Sequence, residues 1–260
     1  MNHRVSPAAR PVPRSASGPS RHFLRAGALA LLLAATGARA EIGKIPEGFT
    51  RLFNGKDLKG WHVSRTAHHG TTPKLTIKDG AVTITQQPFG QGGILLTDKK
   101  YQDFEFYVET DIKPGFNSGL FFRSTEEGSA YQVELDAGAG NNGNLLGEQL
   151  TLTRPTENLV PADQRVTVAS VWNKDGWNSY RLRCEGEKPH LTFWVNDKKI
   201  WEYQLTTNDK PGGATDGYIA LQFHFLTALG PSTMVMPLSY GTPGKGIGFR
   251  NMAVKELNKK

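Results

Sequence analysis

From Leu75 onward, apolar and polar residues alternate in short runs. In Asp103–Lys113, Phe104, Phe106 and Val108 fall on one face and Glu105, Tyr107 and Glu109 on the other. A period of two is the signature of a half-buried strand. Comparable runs are Leu75–Lys78, Ala81–Gln86, Gly93–Thr97, Asn117–Ser124, Tyr131–Asp136, Asn178–Glu185, His190–Asn196, Lys199–Tyr203, Gly217–Phe225 and Gly246–Leu257. Gly, Asn, Asp or Pro separates most of them. Asp79-Gly80 and Asn196-Asp197, each between apolar runs, predict tight hairpins. No amphipathic stretch long enough for a three-turn helix appears. Many short strands with turn signals predict an all-β chain, a two-sheet antiparallel β-sandwich of the jelly-roll type.

Two stretches resist a strand reading. Residues 137–169 are long, polar and rich in Asn, Gly and Pro. Residues 226–245 place Met234, Val235, Met236 and Leu238 among Gly and Pro. Long ordered loops in a compact domain are usually functional, and the alternative is a cover over an open sheet edge.

The amino terminus changes what the charge means. Residues 1–40 hold six arginines and no acid, then an apolar stretch at Ala26–Gly37 and the small-residue exit Ala38-Arg39-Ala40. That order predicts a cleaved secretory signal over residues 1–40, with Glu41 first in the mature chain and a single domain over 41–260. Ser20-Arg21-His22-Phe23-Leu24 resembles a twin-arginine signal with its second arginine lost, so the export route stays open. Taking the six arginines from 31 cations leaves 25 against 24 acids. The basic balance therefore disappears, which argues against a nucleic-acid partner. The apolar stretch is too short to span a bilayer, and no later segment is apolar enough, so no stable membrane insertion is expected after cleavage. A secreted or periplasmic location follows. The single Cys184 excludes an internal disulfide framework.

Candidate chemistry sits on the polar faces of the strands. In Tyr131–Asp136, Tyr131, Val133 and Leu135 form the apolar face, and Gln132, Glu134 and Asp136 point the other way. In Gly217–Phe225, Ile219, Leu221, Phe223 and Phe225 face the core, and Tyr218, Ala220, Gln222 and His224 face away. In Asn117–Arg123, Asn117, Gly119, Phe121 and Arg123 lie opposite Ser118, Leu120 and Phe122. In His190–Asn196, Thr192 and Trp194 oppose the apolar set. If these strands share a sheet, its second face carries carboxylates, amides, an imidazole and an aromatic, a set suited to a sugar. An ordinary solvated sheet face shows the same alternation. Glu134 and Asp136 are roughly 6.6 Å apart along the backbone, near the lower edge of inverting glycosidase separations and somewhat above retaining ones, so spacing does not choose a mechanism.

These residues carry a resemblance to the 3-keto-disaccharide hydrolase domain family, whose members have a concanavalin-like jelly-roll fold. The matching pieces are Gly48 through Trp61, Asp103-Phe104-Glu105-Phe106, Asn117 through Arg123, Tyr131 through Asp136, Trp177-Asn178-Ser179-Tyr180, Phe193-Trp194-Val195-Asn196, Gly217 through His224, and Phe249-Arg250-Asn251. The resemblance implies a carbohydrate substrate, a glycoside oxidised at carbon 3, cleaved by hydrolysis or by elimination. Such chemistry needs a base, a leaving-group acid and a group to hold the enolate oxygen. His224 or Glu134 is the candidate base, and Asp136 or Glu134 the acid. Arg123, Gln222 or a bound cation is the candidate for the oxygen, and Gln132, Asn117 and Trp194 complete the substrate set. A divalent metal is a possible cofactor, with Glu134 and His224 as candidate ligands. Two alternatives stand beside this reading: a non-catalytic lectin-like module, and an ordinary glycoside hydrolase using Glu134 and Asp136. The chain departs from the family in its 226–245 insertion and in the segment Asn144-Leu145-Leu146-Gly147.

Other residues draw structural readings. His68-His69 is tempting as a metal pair, but neighbours on a strand point apart, so a solvated loop is expected. Cys184 is expected to be a buried small hydrophobe. Trp61, Trp172, Trp177 and Trp201 are expected to pack in or at the edge of the core.

Overall fold

A computed structural model describes residues 43–137, 140–150, 157–225 and 244–257. The predicted signal and residues 226–243 of the insertion lie outside the described residues. The described residues form fourteen strands: β1 (Thr50–Arg51), β2 (Trp61–Val63), β3 (Lys74–Lys78), β4 (Ala81–Thr85), β5 (Gly93–Tyr101), β6 (Phe104–Asp111), β7 (Asn117–Ser124), β8 (Ala130–Asp136), β9 (Leu145–Glu148), β10 (Asn178–Glu185), β11 (His190–Val195), β12 (Lys198–Gln204), β13 (Gly217–Phe223) and β14 (Gly246–Glu256). The only described helices are three short 3₁₀ turns. None of the described helices is long and apolar enough to cross a membrane.

The strands form two antiparallel sheets. One has the order β12-β11-β10-β6-β14-β4-β3, with β1 pairing β14. The other has the order β2-β5-β13-β7-β8-β9. The all-β sandwich expected from the alternation is therefore the observed fold. Phe104, Phe106 and Val108 of β6 meet Leu120 and Phe122 of β7, Val133 and Leu135 of β8, and Leu221 and Phe223 of β13 in one core between the sheets. Each such side chain stabilises the fold by roughly 1.5–3 kcal/mol on burial. Cys184 is fully buried among them, and its thiol is pushed up to about 12 by burial.

Turn chemistry matches the sequence. Asp79 and Gly80 have φ of 51° and 74°, and Asn196 and Asp197 have 48° and 63°. Two successive positive φ values are what a two-residue hairpin needs to follow the strand twist. The Asn196 side chain fixes its turn: Oδ1 accepts from the Ser179 amide at 2.9 Å, and Nδ2 donates to the Val171 carbonyl at 2.8 Å.

Three strands escape the alternation: β1, β2 and β9 are two to four residues long, too short to show a period. β9 falls inside the 137–169 stretch that resists a strand reading. It pairs with β8 and closes the edge of the second sheet. β13 also ends at Phe223, so the alternation does not reach Phe225. Phe225 stacks on the His224 ring, centroids 4.7 Å apart, instead of entering the core.

Candidate active site

The second sheet has a distinctive outer face, and its strand register sets out the chemistry in rows. Leu96, Ala220, Phe121 and Gln132 lie side by side across β5, β13, β7 and β8. The next row is Ile94, Gln222, Gly119 and Glu134. Beyond it, the His224 amide donates to the Asn117 carbonyl at 3.2 Å, and Asn117 pairs with Asp136. One half of the face is apolar: Ile94, Leu96, Phe121, Ala130 and Ala220 form a small second core with Ala67. The other half is polar and includes most of the residues singled out by alternation.

Glu134 stands at the centre of the polar half and is partly exposed. Its Oε1 accepts from Asn117 Nδ2 at 2.9 Å. Burial pushes its carboxyl up to about 7, helped by the charges of Asp136 and Glu148, while the Asn117 hydrogen bond opposes the shift. A carboxyl that is half-ionised near neutral pH can both give and take a proton. The His224 imidazole is lowered from its usual range, chiefly by burial. Its Nδ1 lies 2.6 Å from the Phe225 carbonyl. A carbonyl can only accept, so Nδ1 carries the proton and Nε2 presents a lone pair when the ring is neutral.

The loop between β2 and β3 covers this face. Ser64 Oγ accepts from the Ala67 amide at 2.9 Å and donates to the Glu126 carbonyl at 2.7 Å, which folds the loop back. Ala67 plugs the small apolar cluster. Gly70, with φ of 116°, lets the chain pass the Gly92 backbone, where a Cβ would lie 2.5 Å from the Gly92 carbonyl oxygen. That path brings both His68 and His69 to the polar half. The pair lies in a turn, as the loop reading expected, and His68 is exposed, but His69 is 2% exposed, which corrects the solvated reading for that residue; in a turn nothing forces the two side chains apart. Their rings lie 3.8 Å centroid to centroid. His68 Nε2 is 2.8 Å from Glu148 Oε1 on β9, and His69 Nε2 is 3.7 Å from the same oxygen. The His69 ring contacts those of His224 and Phe225 at 5.2 and 5.5 Å. Burial and the neighbouring His68 and His224 lower the His69 imidazole to about 2, so it is neutral.

Gln132 and Gln222 form the floor, both buried. Gln132 Nε2 donates to Gln222 Oε1 at 3.4 Å, and Gln222 Nε2 lies 2.9 Å from His69 Nε2. Gly119 makes room for this chain, since a Cβ there would lie 2.4 Å from Gln132 Nε2. The two glutamines thus hold His69, where the sequence reading gave them to substrate. Gln132 Oε1 and Asn117 Oδ1 are buried acceptors with no hydrogen-bond partner. Buried polar atoms are rarely left unpaired, and two of them border Glu134.

Two candidates lie elsewhere. Trp194 belongs to β11 of the other sheet, where Arg181 stacks on its ring at 4.0 Å. Alternation gives a face within a strand but not the sheet a strand joins. Arg123 has φ of 50°, and β7 and β13 slip register beside it. The bulge turns its side chain away from the outer face. It is fully buried, donating to the Gln102 carbonyl at 3.0 Å, the Gly186 carbonyl at 2.9 Å and Asp103 Oδ1 at 3.1 Å. It ties the ends of the two sheets together and cannot hold an enolate oxygen. Trp61, Trp172, Trp177 and Trp201 are packing residues as expected: Trp201 Nε1 donates to the Gly143 carbonyl at 2.7 Å, and Arg250 covers Trp177 at 4.2 Å.

Comparison with known proteins bears on this face as follows. A 3-keto-disaccharide hydrolase of Bacteroides thetaiotaomicron is 25% identical over 246 residues, covering 82% of this chain and 79% of that protein. A Parabacteroides distasonis protein provisionally named a glycosyl hydrolase aligns in structure with a TM-score of 0.52 and 19% identity, over 82% of this chain and 95% of its own. The exoplasmic/lumenal domain of VIP36, in a Ca²⁺/Man3GlcNAc-bound form, aligns with a TM-score of 0.51 and 12% identity, over 82% and 92%. The structural likenesses bear on the fold alone, a sandwich shared by glycosyl hydrolases and lectins. The sequence match reaches further, because the family described as the 3-keto-alpha-glucoside-1,2-lyase-like domain matches residues 48–255. Homology thus supports a carbohydrate-active function, and the chain belongs to the 3-keto-alpha-glucoside-1,2-lyase-like family.

Proposed function

We propose that this protein cleaves the glycosidic bond of glycosides oxidised at carbon 3. The observation that carries the reading is Glu134, whose carboxyl is held near 7 on the face it shares with His224. The ketone acidifies the proton on carbon 2. His224 Nε2 removes that proton, and the electron pair moves onto the ketone oxygen. The enolate then collapses, forms the carbon 1–carbon 2 double bond and expels the aglycone oxygen, which takes a proton from Glu134. The products are an unsaturated 3-keto sugar and the free aglycone. Addition of water across the double bond, with Glu134 now ionised as its base, completes a net hydrolysis. Asn117 donates to Glu134 and orients it, and the charge of nearby Asp136 helps keep its carboxyl protonated. Asp136 is buried, 4% exposed, which disfavours its use with Glu134 as the pair of an ordinary glycosidase.

Isotope exchange separates the two roles. In heavy water, Glu134→Gln is expected to keep exchange at carbon 2 of a 3-keto-glucoside and to lose about 10²–10⁴ in aglycone release. His224→Ala is expected to lose both. Exchange and release at wild-type rates in both variants would overturn the assignment. The reading extends to export: the periplasmic or secreted form is expected to begin at Glu41, which amino-terminal sequencing reads directly.

A further inference from the structure

We propose that His68, His69 and Glu148 bind a first-row divalent metal ion of the zinc type. The two imidazoles and the carboxylate each offer one donor atom, and all three atoms lie within 4.8 Å of one another. Tetrahedral zinc with bonds of about 2.0–2.1 Å holds neighbouring donors roughly 3.4 Å apart. The His68–Glu148 and His69–Glu148 separations of 2.8 and 3.7 Å straddle that value. Small side-chain shifts close the site without moving backbone. Two nitrogens and one oxygen, with a fourth position open, are the donor set of a catalytic zinc centre.

The surroundings fit a ligand better than an ion pair. An exposed ion pair between loop and strand has no use for a buried second histidine, yet His69 is 2% exposed and its Nε2 lies 3.7 Å from the same Glu148 oxygen. Gln222 Nε2 lies 2.9 Å from His69 Nε2 and 3.3 Å from Nδ1. A hydrogen bond in line with one ring nitrogen leaves the donor far from the other. Near-equal distances therefore set the amide against the ring face and leave the Nε2 lone pair open toward Glu148. The Gln132–Gln222 chain clamps the ring by its face, a supporting role of the kind that orients metal-binding histidines. The sequence reading offers Glu134 and His224 as ligands; the proposed site lies on the loop and β9 beside them. If the proposed sugar chemistry holds, the ion borders the His69–His224 contact, from which it can polarise the ketone. Binding of the ion does not depend on that chemistry.

The test is cobalt binding to the full chain after removal of metal with a chelator, read by visible absorption and by calorimetry, with zinc as competitor. Wild type is expected to bind one equivalent with the intense bands of a low-coordinate Co²⁺ site. His68→Ala and Glu148→Gln are expected to weaken binding at least about 100-fold, and Gln222→Leu about 10-fold. His68 and Glu148 are partly exposed, so both variants are expected to melt like wild type in chelator. No binding to wild type, or binding undiminished in His68→Ala and Glu148→Gln, overturns the proposal. Because no sugar enters the measurement, its failure is separate from failure of the proposed reaction.

Discussion

Glu134 sets the behaviour of the site at the scale of one residue. Its carboxyl titrates near 7 in the fold and near 4.5 in the unfolded chain. A raised carboxyl means the folded protein binds the proton more tightly, so stability falls as pH rises from about 4.5 to 7 and stays reduced above. Glu134→Gln removes that penalty. In chelator, the variant is expected to be more stable than wild type by on the order of 1–3 kcal/mol near pH 8 and equal to it near pH 4, read by denaturant titration. Activity follows the same group: as the proton donor it must be neutral, so aglycone release is expected to fall about tenfold per pH unit above 7. Arg123 and Trp194 make the opposite case. Arg123→Met is expected to cost about 3–5 kcal/mol because it removes the cation beside the Asp103 carboxylate and leaves the Gln102 and Gly186 carbonyls without that donor, with KM unchanged in the folded fraction. Trp194→Ala is expected to cost about 0.5–1 kcal/mol through its lost stacking with Arg181 and to leave sugar binding intact.

At the scale of elements, the loop between β2 and β3 decides whether the face is complete. Gly70 is its weak point, because φ of 116° and the approach to Gly92 both exclude a side chain. Gly70→Ala is expected to cost about 1–3 kcal/mol and to lift His68 and His69 off the face, seen as lost protection of the loop amides in hydrogen exchange. This loop also marks where the sequence stops being readable. Glu134, Asp136, Asn117 and His224 were legible because a strand repeats every two residues, and one strand is enough to assign a face. His68 and His69 were visible only as a pair of residues, since a turn has no period from which to infer direction. Glu148 was hidden because β9 is four residues long. Its signal was indirect: the outer face of β8 needed a neighbour to cover its edge. Arg123 misled for a different reason: β7 carries an extra residue there, with Phe122 and Arg123 opposite Ile219 alone, and strict alternation along one strand does not foresee a bulge.

At the scale of the molecule, the two sheets divide the work. The larger one carries surface ion pairs and stacked cations, such as Arg250 on Trp177 and Arg181 on Trp194. The smaller one is apolar toward the core and carries the candidate site residues on its other side. Among the described residues, clefts of about 190 and 330 Å³ open near Arg165 and Ile200. The candidate site itself is marked by its titratable groups. The sandwich itself suits catalysis and simple sugar binding equally, and the choice rests on the proton-transfer groups of the smaller sheet. The most direct measurement is release of aglycone from a glucoside and from its 3-keto counterpart by the purified protein, under identical conditions. The account predicts release from the 3-keto substrate alone, abolished by Glu134→Gln. Release from both substrates would contradict it in favour of an ordinary glycosidase, and release from neither, with saturable sugar binding, in favour of a lectin.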